Sequence, residues 1–413
     1  MKKYGLVGGT LGHSVSPYIH SLFGDYDYSL MPMDAGELKR FVKSGDFGGI
    51  NVTVPHKRLA FSICDVLSKR AKAVGSVNTV TIRDGKLYGD NTDYDGFLYM
   101  LSKSGISLHD KKVLVLGTGG TSLTVCACAR DSGAAEVKCV SRTGNINYEN
   151  VYDACGDYEV VINTTPVGMY PDIDKAPVDI ARFRNLSGVA DVVYNPLRTE
   201  LIRNATEAGI PCTGGLRMLV AQAAYASEQF TGARIGEDGI ETAYLKTLLE
   251  MSSIVLIGMP GSGKTTVAAV LASLTGRRLV DTDEMIVKKT GMSIPEIFEK
   301  HGEPEFRRLE HEAVSEASAL IGSIISVGGG AVLDERNMQA LKKNGTVVWL
   351  EREAELLATD GRPLSRDASA LQKIKTERYP LYKKYSDIRI KNDTSPDSTA
   401  KNALEAFYEV LGN

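Results

Sequence analysis

The stretch Ser252–Val270, SSIVLIGMPGSGKTTVAAV, decides the fold of the second part of the chain. Its apolar start, Ile254–Ile257, predicts a buried parallel strand. The residues that follow fit the phosphate-binding loop pattern G-x-x-x-x-G-K-[ST], in which glycines let backbone N–H groups surround phosphate oxygens at a helix N-terminus. The residues expected to hold a nucleoside triphosphate are Gly258, Gly261, Ser262, Gly263, Lys264, Thr265 and Thr266. An ordinary glycine-rich turn between strand and helix is the alternative.

The composition limits the class of protein. The 413 residues exceed what one hydrophobic core usually serves, so two or three domains are expected. The net charge of −3 gives no basic field for nucleic acid or an anionic membrane, and no apolar run approaches the roughly 20 residues of a spanning helix. The six cysteines form no C-x-x-C pair, so we expect reduced thiols in a cytoplasmic protein and no zinc site.

The order of predicted strands and helices favours an α/β fold. Short strands and helices alternate over residues 1–100, and a regular alternation begins near Lys111. A second alternation starts at the phosphate-binding loop. Strands that alternate with helices predict doubly wound parallel sheets. Because no linker rich in Pro, Ser or Gly precedes the loop, the join between the halves is expected near Met251–Ser253.

A second glycine-rich turn follows a predicted strand in the first half. The segment Val113–Ser122, VLVLGTGGTS, has a serine where G-x-G-x-x-G has its third glycine. The next strand ends in Ser-Arg-Thr and not in the carboxylate that grips a ribose 2′-hydroxyl. A guanidinium pairs with a 2′-phosphate, so NADP is preferred over NAD. The residues expected to bind it are Gly117, Gly119, Gly120, Ser141, Arg142 and Thr143. A plain tight turn and a solvated surface arginine are the alternatives.

A lysine and an aspartate lie in two polar segments of the first half. Lys57 ends NVTVPHK (residues 51–57), which closes a predicted strand in a loop, and Asp93 lies in GDNTDYDG (residues 89–96), which reads as a polar turn. If the two loops meet in a cleft, the pair can share a proton with a reacting carbonyl or alcohol. Two unrelated surface loops are an equal alternative on spacing alone.

Six ordered motifs in residues 1–250 resemble the shikimate dehydrogenase family. They are GHSVSP (12–17), NVTVPHK (51–57), SVNT (76–79), GDNTDYDG (89–96), NTTPVGM (163–169) and GGLRMLVAQ (214–222). The resemblance implies reversible, NADP-dependent reduction of 3-dehydroshikimate to shikimate, with Lys57 and Asp93 as the catalytic pair. The polar ring that it implies around the substrate comprises Ser14, Ser16, Thr53, Asn78 and Gln222. It implies no metal in this half.

Charged residues after the phosphate-binding loop suggest a second ligand. Asp281 and Asp283 follow a predicted strand, so we expect one to face Mg²⁺ and the other an acceptor hydroxyl. Two solvated loop acids are the alternative. Gly328–Gly330 follow another strand directly, where close backbone approach to a ligand is the usual use. Three arginines on separate segments suggest clamps for anions, and they are Arg307, Arg362 and Arg378.

These motifs resemble the shikimate kinase family over about 160 residues. They are GMPGSGKTT (258–266), DTD (281–283), EFRRLE (305–310), GGG (328–330), RPL (362–364) and ERYPLY (377–382). The resemblance implies transfer of the ATP γ-phosphoryl group to the shikimate 3-hydroxyl. Lys264 and Asp283 would be catalytic, with Asp283 holding the acceptor hydroxyls, while Thr265 and Asp281 serve Mg²⁺. Arg307, Arg378 and Gly328, Gly329 and Gly330 would bind the substrate, and Arg362 would close from a lid onto ATP.

The two resemblances together predict a bifunctional enzyme of the shikimate pathway. The expected domains are a substrate-binding domain over 1–101, completed by about 217–250, a Rossmann-type NADP domain over 102–216, and a P-loop kinase domain over 252–413. The expected cofactors are NADP, ATP and Mg²⁺, and the expected partners are small molecules, with no nucleic acid and no membrane. A quinate-type dehydrogenase fused to another small-metabolite kinase, or a half that only senses a metabolite, are the alternatives.

Overall fold

The protein divides into two compact units, Met1–Thr247 and Leu248–Asn413. The computed structural model describes residues 2–12, 14–353 and 368–412. Both units are built from strands that alternate with helices, so the predicted α/β fold with parallel sheets is confirmed. Within these described ranges, none of the helices combines the length and the apolar character that crossing a membrane requires.

The first sheet of the first unit has the strand order β2-β1-β3-β5-β6-β4. Its strands are β1 (Tyr4–Gly8), β2 (Tyr28–Pro32), β3 (Gly49–Val52), β4 (Val66–Leu67), β5 (Thr79–Arg83) and β6 (Lys86–Asp90). The helices between and after them are α1 (Ser16–Ser21), α2 (Ala35–Ser44), α3 (Lys57–Ile63), α4 (Lys69–Val74) and α5 (Thr92–Lys103). The strands β1, β2 and β3 are parallel, whereas β5 is antiparallel to β3 and β6. Asp84 and Gly85, with φ of 50° and 71°, form the two-residue turn between β5 and β6.

The second sheet of this unit is entirely parallel, in the order β11-β10-β9-β7-β8. Its strands are β7 (Lys112–Leu116), β8 (Glu136–Val140), β9 (Val160–Asn163), β10 (Gly188–Asp191) and β11 (Cys212–Thr213). The helices are α6 (Gly120–Asp131), α7 (Val151–Cys155), α8 (Glu200–Glu207), α9 (Leu216–Thr231) and α10 (Gly236–Met251), with a 3₁₀ turn at Ile180–Arg182. The inner strands β7 and β9 are buried nearly throughout, which explains their continuous apolar sequence.

Helices α5 and α9 pack closely in the first unit. A Cβ atom at Gly96 of α5 would lie 2.8 Å from the Met218 carbonyl oxygen and 3.0 Å from the backbone nitrogen of Gln222. Only glycine therefore lets the two helices approach to this distance. The contact places the first two turns of α9 beside the first turns of α5.

The sheet of the second unit is also parallel, in the order β13-β14-β12-β15-β16. Its strands are β12 (Ser253–Ile257), β13 (Leu279–Asp281), β14 (Ile324–Ser326), β15 (Gly345–Glu351) and β16 (Ile388–Lys391). The helices are α11 (Lys264–Thr275), α12 (Thr282–Thr290), α13 (Ile294–Ser318), α14 (Glu335–Asn344), α15 (Ala368–Tyr385) and α16 (Pro396–Gly412), with a 3₁₀ turn at Ala331–Leu333. The central strand β12 is completely buried and leads into the phosphate-binding loop. Helix α13 is interrupted at Gly302, whose φ of 79° is not helical.

Candidate functional site

Lys57 and Asp93, the predicted proton-sharing pair, form an ion pair in the structure. The Lys57 Nζ and Asp93 Oδ2 atoms are 2.6 Å apart, and the side chains are 18% and 11% exposed. Lys57 begins α3, and Asp93 lies in the first turn of α5. The interpretation of residues 89–96 as a polar turn is therefore wrong, because this segment ends β6 and begins α5. A carboxylate in the first turn of a helix is stabilised by the helix dipole.

Asn78 holds the first turn of α5 in place. Its Oδ1 accepts a hydrogen bond from the Thr92 backbone N–H (2.7 Å), and its Nδ2 donates to the Thr92 hydroxyl (3.1 Å). The Thr79 hydroxyl donates to the same Oδ1 over 3.0 Å, and all three residues are buried. Since Asp93 follows Thr92 directly, this network fixes the position of the carboxylate that pairs with Lys57.

Two loops that carry predicted substrate residues adjoin at one edge of the first sheet. The Gly9 N–H, after β1, donates to the Val54 carbonyl, after β3, over 3.1 Å. In these loops the Ser14 hydroxyl donates to the Ser16 hydroxyl over 3.0 Å, and Thr53 directly follows β3. The carboxyl ends of β1 and β3 lie at this edge because the two strands are parallel. Ligands of open α/β sheets bind at such an edge.

Gln222 lies on α9 opposite Gly96, where the two helices are closest. Gly96 is three residues after Asp93, so both occupy the same side of α5. The Gln222 Nε2 donates to the Leu219 carbonyl over 2.9 Å, and the residue is 9% exposed. Among the residues that the structure describes, no hydrogen bond joins Ser14, Ser16, Thr53 or Gln222 directly to the ion pair.

A cavity of about 660 Å³ opens at the carboxyl end of the second sheet. The predicted dinucleotide residues that line it are Gly117, Gly119, Ser141 and Arg142. Gly117 has a φ of 107°, and a Cβ atom there would come within 2.9 Å of the Thr164 hydroxyl oxygen. This turn therefore requires glycine. Gly120, which begins α6, and Thr143 do not line the cavity.

Ser122 replaces the third glycine of the dinucleotide motif without disturbing the turn. Its side chain is buried, and its hydroxyl donates to the Gly119 carbonyl over 2.6 Å. The hydroxyl thus provides a hydrogen bond to a carbonyl near the start of α6, and it does not prevent the helix from packing closely. The imperfect sequence motif is compatible with a formed phosphate-binding turn.

Arg142 is exposed at the cavity and forms no ion pair or hydrogen bond with another residue in the described ranges. Two further lining residues, Tyr148 and Lys175, were not predicted from the sequence. Burial raises the pKa of the Tyr148 hydroxyl, and the positive charge of Arg142 opposes that rise. The Lys175 ammonium pairs with Asp172 over 2.7 Å. The cavity therefore has two cations at its rim.

The phosphate-binding loop has the backbone conformation that its glycines predict. Gly261 and Gly263 have φ values of 84° and 86°, which favour glycine. The Lys264 Nζ donates to the carbonyls of Gly258 (3.0 Å) and Met259 (3.1 Å), which holds the ammonium group over the loop. The buried Ser262 hydroxyl has no hydrogen-bond partner among the described residues. Thr266 is an exposed residue of α11.

Thr265 and Asp281 meet beside the phosphate-binding loop. The Thr265 hydroxyl donates to Asp281 Oδ2 over 3.1 Å, while Asp281 Oδ1 accepts the Asp283 backbone N–H over 3.0 Å. Asp281 ends β13 and caps α12, and Asp283 lies in the first turn of that helix. Only Asp281 therefore lies at the strand end, whereas Asp283 belongs to the helix that follows. One hydroxyl and one carboxylate oxygen are a pair of ligands that suits Mg²⁺.

The carboxylate groups of Asp283 and of the buried Glu310 both lie close to Gly328. A Cβ atom at Gly328 would lie 2.8 Å from Glu310 Oε1 and 3.0 Å from Asp283 Oδ1. Glu310 is 1% exposed and accepts a hydrogen bond from Arg307 Nη1 over 2.6 Å. Burial raises the pKa of Glu310, Arg307 opposes the rise, and Asp283 adds to it. A Cβ atom at Gly330 would overlap the Arg307 guanidinium group.

Arg378 brings a second guanidinium to this cluster. It is 4% exposed, and its Nε has no hydrogen-bond partner in the described part of the chain. The neighbouring Tyr382 hydroxyl donates to the Gly329 carbonyl over 2.6 Å. The charge of Arg378 lowers the pKa of Glu310, although burial has the larger, opposite effect. Arg362, the predicted lid arginine, lies outside the described residues.

Comparisons with known proteins give a family for the first unit. Residues 6–80 match the family model described as shikimate dehydrogenase substrate binding domain. Over 248 residues the chain is 37% identical to a shikimate dehydrogenase (NADP(+)) of Clostridium beijerinckii, with 55% of this chain and 91% of that protein covered. The chain belongs to the shikimate dehydrogenase family. A shikimate dehydrogenase (NADP(+)) of Clostridium perfringens is 35% identical over 264 residues, which cover 59% of this chain and 97% of that protein.

Solved structures of shikimate dehydrogenases resemble the same part of the chain. A chorismate mutase/shikimate 5-dehydrogenase fusion protein from Clostridium acetobutylicum has a TM-score of 0.57 and 33% identity, with 60% of this chain and 97% of that chain covered. The shikimate 5-dehydrogenase of Thermus thermophilus, solved with NADP(H) and shikimate, has a TM-score of 0.53 and 30% identity over 60% and 99%. Residues 260–408 match the family model described as shikimate kinase.

The sequence reasoning missed two polar residues beside the phosphate-binding loop. Arg352 follows β15, and its Nη1 lies 3.5 Å from the position of a Cβ atom at Gly263. The Arg352 Nε is buried without a hydrogen-bond partner among the described residues. The Asn392 side chain donates to the Ser262 carbonyl over 2.6 Å. The available signal was a polar residue directly after a strand of the same parallel sheet, because the carboxyl ends of parallel strands lie at one edge.

Proposed function

We propose that the protein is a bifunctional enzyme that reduces 3-dehydroshikimate to shikimate with NADPH and phosphorylates shikimate to shikimate 3-phosphate with ATP. One observation carries the proposal. The chain joins a shikimate dehydrogenase with a formed Lys57–Asp93 pair to a shikimate kinase domain with a formed phosphate-binding loop. The product of the first reaction is the substrate of the second.

Lys57 is the proton donor of the reduction. Its ammonium group, held by Asp93, donates a hydrogen bond to the substrate carbonyl oxygen and transfers a proton to it as the alcohol forms. NADPH, when bound, supplies the hydride. Asp93 orients Lys57 and stabilises its positive charge before transfer. Asn78 Nδ2 has one hydrogen left after bonding to Thr92, and this hydrogen is available to a substrate hydroxyl.

The polar residues around this pair bind the rest of the substrate. They are Ser14, Ser16, Thr53, Asn78 and Gln222. Ser14 and Ser16 already form a hydroxyl pair at the start of α1, where a carboxylate can replace the hydrogen bond between them. A hydroxylated ring acid requires such short donors and acceptors on several sides.

The cavity of the second sheet fits NADP. Its volume of about 660 Å³ is in the range of cofactor pockets, and its turn requires glycine at Gly117. Arg142, uncompensated by any described ion pair, would bind the 2′-phosphate, with Ser141 and Thr143 beside it. Gly119 and Gly120 begin α6, whose N-terminus favours the pyrophosphate.

The second unit binds the acceptor with one carboxylate and two guanidinium groups. Asp283 accepts from the substrate hydroxyls and orients the one that attacks, and Arg307 and Arg378 hold the substrate carboxylate. Gly328, Gly329 and Gly330 line the acceptor site, and their lack of side chains lets Asp283, Pro260 and Arg307 lie close to this backbone. The buried Glu310 positions Arg307 through the 2.6 Å hydrogen bond. Phosphoryl transfer requires mainly such positioning and charge neutralisation.

The phosphate-binding loop fits ATP and Mg²⁺. The loop N–H groups, the Ser262 hydroxyl and the Lys264 ammonium group surround the place of the phosphates. Thr265 and Asp281 would hold Mg²⁺, which neutralises phosphate charge when bound. We add Arg352 to this site, because its guanidinium lies at the N-terminus of α11 with an unsatisfied Nε.

We further propose the domain limits given by the motifs. Residues 1–101 with about 217–250 bind the dehydrogenase substrate, 102–216 bind NADP, and 252–413 form the kinase. The partners are small molecules, and the six free cysteines favour a reducing, cytoplasmic location.

A coupled assay tests the function. The full chain is given 3-dehydroshikimate, NADPH and Mg-ATP, and NADPH oxidation and shikimate 3-phosphate are followed together. We expect both products, with shikimate as the intermediate. Each activity of the full chain is then assayed separately. The NADPH-linked activity is compared with quinate and the ATP-dependent activity with gluconate as the alternative substrate. A higher kcat/KM for either alternative substrate, or absence of turnover in one half, would refute the assignment of that half.

A further inference from the structure

Two cysteines of the second sheet approach each other closely. The Sγ atoms of Cys126 on α6 and Cys139 on β8 are 3.3 Å apart. Cys126 is 5% exposed, whereas Cys139 is exposed. A disulfide requires an Sγ–Sγ distance of about 2.05 Å, so the two sulfur atoms need to approach by little more than 1 Å. The pair therefore combines a sulfur that solvent reaches with a second sulfur directly behind it.

Cys139 has the character of an attacking thiol. A hydrogen bond from the Cys126 thiol lowers the pKa of Cys139 to about 7, and the positive charge of Arg130 also lowers it, while burial opposes both. The same hydrogen bond and burial raise the pKa of Cys126. Thiolates, not thiols, attack disulfides. Because Cys139 is the exposed member of the pair, it is also the thiol that a small disulfide can reach first, and the buried Cys126 is placed to react second.

The two cysteines lie on two elements next to the proposed dinucleotide cavity, α6 after the glycine turn and β8 before the lining residues Ser141 and Arg142. Helix α6 begins at Gly120, and β8 ends one residue before Ser141. Strand β8 is at the edge of its sheet, with β7 as its neighbour. An edge strand moves more easily than an inner one because it is hydrogen-bonded on one side. A bond between the sulfur atoms would therefore displace β8 and the Arg142 side chain that follows it.

We propose that Cys126 and Cys139 are a redox-active pair that small disulfides such as glutathione disulfide oxidise, and that the resulting protein disulfide weakens binding of the dinucleotide. The Cys139 thiolate attacks one sulfur of glutathione disulfide, whose S–S bond breaks and releases one glutathione thiolate. Cys126 then loses its proton to solvent and attacks Cys139 sulfur, releasing the second glutathione thiolate. Two protein thiols are oxidised, and one small disulfide is reduced. The effect on the dinucleotide rests on the proposed function.

The chain contains its own control for this chemistry. All six cysteines lie in residues 1–247, so the second unit has no thiol that glutathione disulfide can modify. Oxidation should therefore change the dehydrogenase and leave the ATP-dependent activity of the same molecules unchanged. Unfolding of the whole chain would affect both activities.

The test treats the full chain with glutathione disulfide and maps cysteine-containing peptides by mass spectrometry. We expect a Cys126–Cys139 disulfide, and a KM for NADPH that rises at least about threefold, as a loss of one part of the 2′-phosphate contact would produce. The KM for ATP should stay within about 1.5-fold, and a thiol reductant should reverse the change. Peptides without this disulfide, or a disulfide with an unchanged KM for NADPH, would overturn the proposal.

Two variants separate the steps. Cys126→Ser should stop at a glutathione adduct on Cys139, and Cys139→Ser should not react at this pair. Cys212→Ser, which removes a half-buried thiol from the same sheet, should still form the disulfide. If Cys126→Ser gives no adduct, Cys139 is not the attacking thiol and the proposal fails. The mass readout needs no enzyme activity, so failure of the proposed dehydrogenase function is recognised separately, by absent NADPH turnover in the reduced protein.

Discussion

Replacing Lys57 tests the proton transfer that the ion pair implies. The 2.6 Å distance to Asp93 and the low exposure of both side chains indicate one preorganised unit. A positioned general acid contributes about 10²–10⁴-fold to a rate, which is ~3–5 kcal/mol of transition-state stabilisation. We expect Lys57→Met to lower kcat for 3-dehydroshikimate reduction by this factor, measured from NADPH absorbance at saturating substrate.

Two matched variants make this prediction refutable. Lys57→Arg keeps the positive charge, but its guanidinium group does not release a proton. The kcat of this variant should therefore lie within about tenfold of the kcat of Lys57→Met. Since Lys57 and Asp93 act together, the double variant Lys57→Met/Asp93→Asn should be no more than about threefold worse than the poorer single variant. ATP-dependent turnover in the same preparations should stay unchanged. Near-normal activity of Lys57→Arg, or multiplicative losses in the double variant, would contradict proton transfer by this unit.

Four further changes probe the other parts of the two sites. Lys264→Ala should abolish ATP-dependent turnover and leave the NADPH-dependent rate within about twofold, and a loss of both activities in folded protein would contradict two independent sites. Arg142→Gln should raise the KM for NADPH about 10-fold to 100-fold while leaving the KM for NADH unchanged, as expected for one charge-assisted contact; equal effects on both cofactors would rule out 2′-phosphate recognition. Gly330→Ala should displace Arg307 and raise the KM for shikimate at least about tenfold with ATP affinity retained, measured by separate titrations. Arg352→Gln should raise the KM for ATP about threefold or more but not that for shikimate, and an unchanged KM for ATP would remove this residue from the site.

The sequence was most informative where local pattern and tertiary structure coincide. The continuous apolar runs of β7, β9 and β12 belong to inner parallel strands, which are buried on both faces. Glycines with positive φ mark both phosphate-binding turns. Short edge elements were missed, such as β4 and β11 with two residues each, because so few residues show no periodicity.

The candidate sites depended on contacts that local sequence does not display. The start of α5 at Thr92 rests on Asn78, 14 residues away, so the segment read as a turn. Glu310 was visible within a motif, but its burial against Gly328 and Arg307 was not. Arg352 has no motif of its own, and only the packing of β15 beside β12 brings it to the loop. Long-range hydrogen bonds and strand order were therefore the missing information.

Helix α10 bears on how the two activities can be separated. Its residues Gly236–Met251 run across the boundary between the units, directly up to β12. Arg277 donates to the carbonyls of Leu249 (2.7 Å) and Ser252 (2.5 Å), so the end of this helix belongs to the hydrogen bonding of the second unit. A truncation that starts at Ser253 would remove both carbonyls, and hydrogen bonds to a charged group contribute about 1.5–3 kcal/mol each. A fragment that retains the stability of the second unit therefore has to include the last turn of α10.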